Sequence, residues 1–186
     1  MEINVFDFDK TIYDGDSSID FYLFCLKRNP GMIKYAPGLL IAAARYLINQ
    51  GGKTVFKQEA FKFLKTIKNT DQYVEEFWSV YGDKIKTWYL ERDHASDVVI
   101  SASPDFLLRP VCRKLGVMLL IASKVDSRTG RFEGENCYGA EKLRRLNSEL
   151  SDYTIREFYS DSRSDQPLAE IASTSFHVRG SRIIAW

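Results

Sequence analysis

Apolar and polar positions divide the chain into three textures. Residues 3–8, INVFDF, form a short apolar run of strand length. From Asp16 to about Tyr89 the apolar residues instead recur three and four apart. Ile19, Tyr22, Leu23 and Leu26 make one stripe; Phe56, Ala60, Phe63, Leu64 and Ile67 a second; Val74, Phe77, Trp78, Tyr81, Ile85 and Trp88 a third. With breaks at Asn29-Pro30-Gly31, Gln50-Gly51-Gly52 and Asn69-Thr70, the pattern predicts four helices. The run YAPGLLIAAARYLI, Tyr35 to Ile48, is the most apolar part and reads as a buried helix. A lipid-facing surface is the alternative, and a run this short with Arg45 inside it cannot span a bilayer.

Beyond this stretch, short apolar strands alternate with helices, the pattern of a parallel sheet with crossover helices. Val98–Ser101, Val117–Ala122, Ile155–Ser160 and Ser175–Val178 read as strands. Ser103 fits an N-cap with Pro104 at the first helical position, and Gly116 ends that helix. Lys124–Glu133 has the look of a hairpin turning at Thr129-Gly130, while 139–150 and 164–172 read as helices. The expected architecture is a Rossmann-like α/β core, residues 1–15 and 91–186, interrupted by a helical insertion at 16–90.

Composition narrows the classes. Among 186 residues, 26 Lys and Arg face 25 Asp and Glu, and 45% hydrophobic with 27% charged residues is an ordinary globular balance. Nothing in it points to nucleic acid. Cys25, Cys112 and Cys137 lack metal-ligand spacing and read as reduced thiols, which with the strand-like start of the chain leads to an expected cytoplasmic location. No apolar run reaches the roughly 20 residues that cross a membrane, so no stable membrane insertion is expected. Residues 17–90 hold 11 Lys and Arg against 6 Asp and Glu. A basic insertion over an acidic floor suits an anionic substrate.

Ligands of open parallel sheets bind beyond the carboxyl ends of the strands. There the sequence places Asp7 and Asp9, then Ser101-Ala102-Ser103, then the acidic run Ser160 to Asp165. In an extended chain Asp7 and Asp9 share a face, and two neighbouring carboxylates repel unless a cation sits between them. Asp161 from another strand completes an all-oxygen site suited to Mg²⁺, with Asp165 bracing it from behind. Since capping accounts for Ser103, Ser101 is the better phosphate ligand. Lys142 reads either as a site residue or as a solvated helix lysine beside Arg144 and Arg145. Asp16 is equally a cap or a substrate contact.

The four stretches DFDKT (7–11), VVISAS (98–103), Lys142 in GAEKLRRL, and DSRSD (161–165) resemble, in order and spacing, the motifs of the haloacid dehalogenase-like superfamily. The closest likeness is to its phosphoserine phosphatase-like subfamily, whose insertion between the first two motifs is called a C1 cap. The resemblance implies Asp7 as nucleophile, becoming an aspartyl-phosphate, and Asp9 as general acid and base. It further implies Thr11, Ser101 and the Ala102 N–H around the phosphate, Lys142 offsetting charge, and Mg²⁺ held by Asp7, Asp161 and Asp9, the last through its backbone carbonyl. Asp9 argues for phosphoryl chemistry, because a halide leaves without needing a proton. Asp16 stands where the subfamily's phosphoserine enzymes usually carry Glu to meet the substrate amino group. The implied function is a Mg²⁺-dependent phosphatase of a small phosphorylated substrate. The alternatives are transfer to another acceptor, a phospholipid head-group substrate, or phosphate-ligand binding without turnover.

Overall fold

The computed structural model describes residues 1–48 and 52–186. Six strands form one sheet: β1 (Glu2–Phe6), β2 (Asp97–Pro104), β3 (Leu119–Ser123), β4 (Thr154–Ser160), β5 (Thr174–Arg179) and β6 (Arg182–Ala185). Their order across the sheet is β3-β2-β1-β4-β5-β6. The first five run parallel, as the alternating texture predicts, and β6 returns antiparallel along β5. β1 sits between β2 and β4, so chain direction across the sheet switches on either side of it. That switch opens a crevice at the carboxyl ends of β1, β2 and β4.

Between β1 and β2 lie α1 (Ser17–Arg28), α2 (Ala36–Leu47), α3 (Lys53–Phe61), α4 (Thr70–Tyr81) and the single turn α5 (Thr87–Leu90). Four helices were expected; five α-helices are found among the described residues, joined in part by 3-10 turns at Pro30–Tyr35, Lys62–Thr66 and Gly82–Lys84. The third stripe breaks because the chain tightens at Gly82 and then extends at Ile85. Of the expected break at Gln50-Gly51-Gly52, Gln50 and Gly51 lie outside the described residues. Helices α6 (Asp105–Leu115), α7 (Ala140–Glu149) and α8 (Gln166–Ala169) complete the fold. Gly116 ends α6 in the left-handed conformation at φ 76°, as its position suggests. The helix expected over 164–172 is shorter, a 3-10 turn followed by α8.

Side-chain alternation along β1 assigns the core to two faces. Ile3 and Val5 join a cluster with Val98, Ile100, Leu146 and Phe158. Phe6 enters the other cluster, which continues without interruption through Phe8, Tyr13, Phe21, Phe77 and Trp78 into the inserted helices. The insertion is therefore built onto one face of the sheet. Trp78 fastens α4 to α6 by donating Nε1–H to the Leu107 carbonyl at 2.7 Å.

The expected hairpin at 124–133 reduces to one antiparallel bridge, Val125 with Phe132. This loop is a docking point for the insertion. Thr70 donates to the Ser127 carbonyl at 2.7 Å, and Phe61 packs on Phe132. Gly130, at φ 74°, lies so close that an added Cβ would fall 2.2 Å from the Phe61 carbonyl oxygen. Only glycine meets both the turn and that approach.

One expectation fails outright. The Tyr35–Ile48 segment is helical, yet Ala42 is the one residue of α2 that is buried. Leu40, Ile41, Leu47 and Ile48 are exposed. Its apolar stripe has helical period, but period alone does not say whether a face meets core or solvent.

Candidate active site

Asp7 follows directly from β1, and its N–H is held by the Tyr159 carbonyl of β4 at 2.9 Å. Its Oδ1 accepts from Lys142 Nζ at 2.6 Å. Lys142, in the first turn of α7, also donates to Asp165 Oδ2 at 2.7 Å, and that oxygen accepts from Ser160 Oγ at 2.8 Å. Lys142 is 2% exposed, which rules out the solvated-lysine alternative. Burial works against its charge, but Asp7 and Asp165 more than compensate, so its pKa is raised. Burial dominates at Asp7 as well, aided by Asp165 and Asp9 and opposed by Lys142, and raises its pKa from 3.8 to about 7.

Asp9 lines the same cleft as Asp7, while Phe8 between them joins Phe6 in the core. The strand stops at Phe6; beyond it the N–H groups of Thr11, Ile12 and Tyr13 turn back on the Phe8 carbonyl, and Lys10 takes a left-handed φ of 60°. The chain is thus regular strand only as far as Phe6, and a turn rather than a ladder carries Asp9. Asp9 accepts from the Ser17 N–H at 2.7 Å through Oδ1 and from Ser103 Oγ at 2.5 Å through Oδ2. Burial, then the Asp16 charge, raises its pKa, while the bonds from Ser103 and Ser17 pull the other way.

Ser103 is thus not a helix cap. β2 runs on through Pro104, which takes the N-cap position with no side-chain bond. The buried Ser103 hydroxyl finds the Asp9 carboxylate and the hydroxyls of Ser17 and Ser18. Ser101 lies within the carboxyl half of β2, with Oγ accepting from the Ser103 N–H at 3.1 Å. The β2–β3 register shifts between Ser101 and Pro104, which sets Ala102 and Ser103 outside the regular ladder.

Thr11 also needs correction as a phosphate contact. It is fully buried; its hydroxyl donates to Asp7 Oδ2 at 3.4 Å and accepts from the Asp161 N–H at 2.9 Å. It ties the ends of β1 and β4 together instead. Asp161 is half-buried at the end of β4, and its pKa is raised by burial against the lowering influence of Lys10 and Lys142. Asp16 does cap α1, accepting from the Ile19 N–H at 3.0 Å, and it also borders the cleft.

These residues line a cleft of about 260 Å³, with Asp7, Asp9, Lys142, Asp161 and Asp165 in its walls and Ser101, Ala102 and Asp16 beside them. A larger hollow of about 540 Å³ between α6, β3 and α7 is walled by charges that pair with one another, such as Arg109 with Asp105. Three residues of the cleft escaped the sequence reading. Lys57 of α3 reaches in and donates to the Ala102 carbonyl at 2.7 Å and to Asn136 Oδ1 at 3.2 Å. Ser18 and Tyr138 also border it. Lys57 sits in a helical stretch with no motif, so nothing local signals its reach.

The acids offer only oxygen donors, and burial raises the pKa of Asp7, Asp9 and Asp161 alike. A hard divalent cation would relieve that charge. Each oxygen of the Asp9 carboxylate already accepts one hydrogen bond, from Ser17 and from Ser103. Among the described residues no three His, Cys, Asp or Glu side chains are spaced to hold one.

Residues 5–170 match the family described as haloacid dehalogenase-like hydrolase. The chain belongs to that family. CicA of Caulobacter vibrioides is 27% identical over 186 residues, spanning 90% of this chain and 81% of its own. A protein of unknown function from Bordetella pertussis Tohama I shares the fold at a TM-score of 0.75, with 24% identity over 94% of this chain and 88% of that one. A probable phosphoserine phosphatase from Vibrio cholerae does so at a TM-score of 0.66, with 12% identity over 94% of this chain and 55% of that one. In this haloacid dehalogenase-like hydrolase, the four stretches that carry the resemblance converge on the one cleft. No helix among the described residues is long and apolar enough to cross a membrane.

Proposed function

We propose that the chain hydrolyses a small phosphate monoester through phosphoryl transfer to Asp7, with residues 16–90 serving as the cap over the cleft. The observation that carries this reading is the pair of neighbouring acids in different settings. Asp7 rests on the Lys142 ammonium, which favours the ionised carboxylate a nucleophile needs. Asp9 has no cationic partner among the described residues, and burial raises its pKa, which suits a group that holds a proton and gives it up. In the first step a carboxylate oxygen of Asp7 bonds to phosphorus as the ester P–O bond breaks, and Asp9 passes its proton to the departing oxygen. In the second, Asp9 takes a proton from water as that water attacks phosphorus, and the Asp7 carboxylate is released with inorganic phosphate.

Lys142 offsets the charge gathered on Asp7, and Asp165 with Ser160 holds Lys142 in place. Ser101 and the backbone at Ala102 border the space for the phosphoryl oxygens. Asp7, Asp161 and the Asp9 carbonyl would hold Mg²⁺; the chemistry it supplies there is neutralisation of carboxylate and phosphate charge. The family likeness and the all-oxygen donor set support that choice of ion. A cytoplasmic location is in keeping with three unpaired, buried thiols.

The test is phosphate release from a panel of phosphorylated metabolites with Mg²⁺. The wild-type chain is expected to turn over at least one ester and Asp7→Asn none. Full activity of Asp7→Asn would remove the proposal's basis.

A further inference from the structure

The exposed side of α2 inverts the usual pattern of a surface helix, whose outward face is polar. Pro37, Leu40, Ile41, Ala44 and Leu47, with Ile48 just beyond the helix, all face outward on an arc of about 120° at 100° per residue. Leu40 is 69% exposed, Leu47 80% and Ile48 61%. Val55 of α3, also exposed, extends the patch across the groove between the two helices. Lys34 and Arg45 stand exposed at its borders.

Charge identifies the occupant. From Phe21 to Gln58 the chain contains no Asp or Glu; of its six cations Lys34 and Arg45 border the patch, while Lys57 turns into the cleft and Arg28 pairs with Glu76. The nearest acid at the groove, Glu59, is already paired with Lys62. A two-fold pairing of this face with a second copy would set Lys34 and Arg45 against their own equivalents. An anionic surface has the opposite sign. A 12-residue helix spans about 18 Å, too little to cross a bilayer but enough to lie in its surface with an apolar face down.

We propose that the α2 face seats this protein on the surface of an anionic lipid bilayer. Apolar side chains enter the headgroup boundary, and the flanking cations meet acidic lipid at about fivefold in partitioning per cation. This docking does not depend on the proposed chemistry, because it involves none of the cleft residues.

The test is flotation of the full chain with vesicles of phosphatidylcholine alone and of equimolar phosphatidylcholine and phosphatidylglycerol. Wild type is expected to bind the anionic vesicles at least about tenfold more tightly, with salt weakening the binding. L40E/L47E is expected to lose at least about tenfold in that binding, with circular dichroism and hydrolysis of soluble p-nitrophenyl phosphate unchanged. K34E/R45E, which leaves the apolar face intact, is expected to lose the preference for acidic lipid. Equal binding to both vesicles, or unaltered binding by L40E/L47E, would overturn the proposal. So would a wild-type dimer in ultracentrifugation that L40E/L47E makes monomeric, which would assign the face to a second copy.

Discussion

Replacing Lys142 with methionine removes one ammonium and keeps most of the side chain's volume. In the wild type that ammonium lies 2.6 Å from Asp7 Oδ1 and 2.7 Å from Asp165 Oδ2, and both carboxylates are largely shut off from water. Deleting one partner of a buried ion pair typically costs about 3–5 kcal/mol, because the opposite charge stays behind without solvent. For a chain of this size that corresponds to roughly 6–20 °C in melting temperature. The cost also depends on pH. Lys142 is what holds the Asp7 pKa down against burial. Without it, the folded-state pKa of Asp7 moves further above its unfolded value, so the loss is smaller at about pH 5, where Asp7 protonates and Asp165 alone lacks its partner, and grows towards about pH 8. Urea unfolding of metal-free Lys142→Met at both pH values reads this directly. A loss under about 1 kcal/mol at the higher pH, or an equal loss at both, would refute the claim that a buried charge is being stranded.

The metal-free wild type should show the same linkage from the other side. Because the folded pKa of Asp7, about 7, lies above its ordinary 3.8, the folded form binds that proton more tightly; the resulting stability is full below about pH 4 and lost as pH rises through 7. Thermal stabilisation by MgCl₂ should therefore be larger at about pH 8 than at about pH 5, and equal shifts would contradict the assignment of Asp7 to the metal. Gly130→Ala places a Cβ against the Phe61 carbonyl and should cost about 2–4 kcal/mol by urea unfolding. A neutral outcome would mean that the 124–133 loop does not anchor the insertion. Burial pushes the thiols of Cys25 and Cys112 up to about 12 and that of Cys137 to about 11. Intact mass after iodoacetamide should show no adduct on the native protein and three after unfolding in urea.

The parallel sheet and the convergence of Asp7, Ser101, Lys142 and Asp161 were legible because strand period and strand-end chemistry are local signals. The rest depended on tertiary facts. Ser103 followed the local rule for a helix cap, yet a buried hydroxyl goes to the carboxylate it meets, and that carboxylate lies 94 positions away. Thr11 belonged to the right motif but spends its hydroxyl on Asp7 and Asp161. The four residues of β6 were too few to register as a strand without their pairing to β5. For α2 the stripe was readable and its direction was not, since the same spacing serves a core and an exposed apolar face.

The claim on which the account turns is that Asp7 takes the phosphoryl group. A substrate found by the phosphate-release panel is mixed with enzyme, the reaction is quenched in acid within one turnover, and the protein is reduced with borohydride and mapped by mass spectrometry. The expected result is a phosphoryl adduct at Asp7, converted to homoserine by the reduction, in the wild type and absent from Asp7→Asn. Turnover with no adduct at Asp7, or an adduct on another residue, would contradict the account.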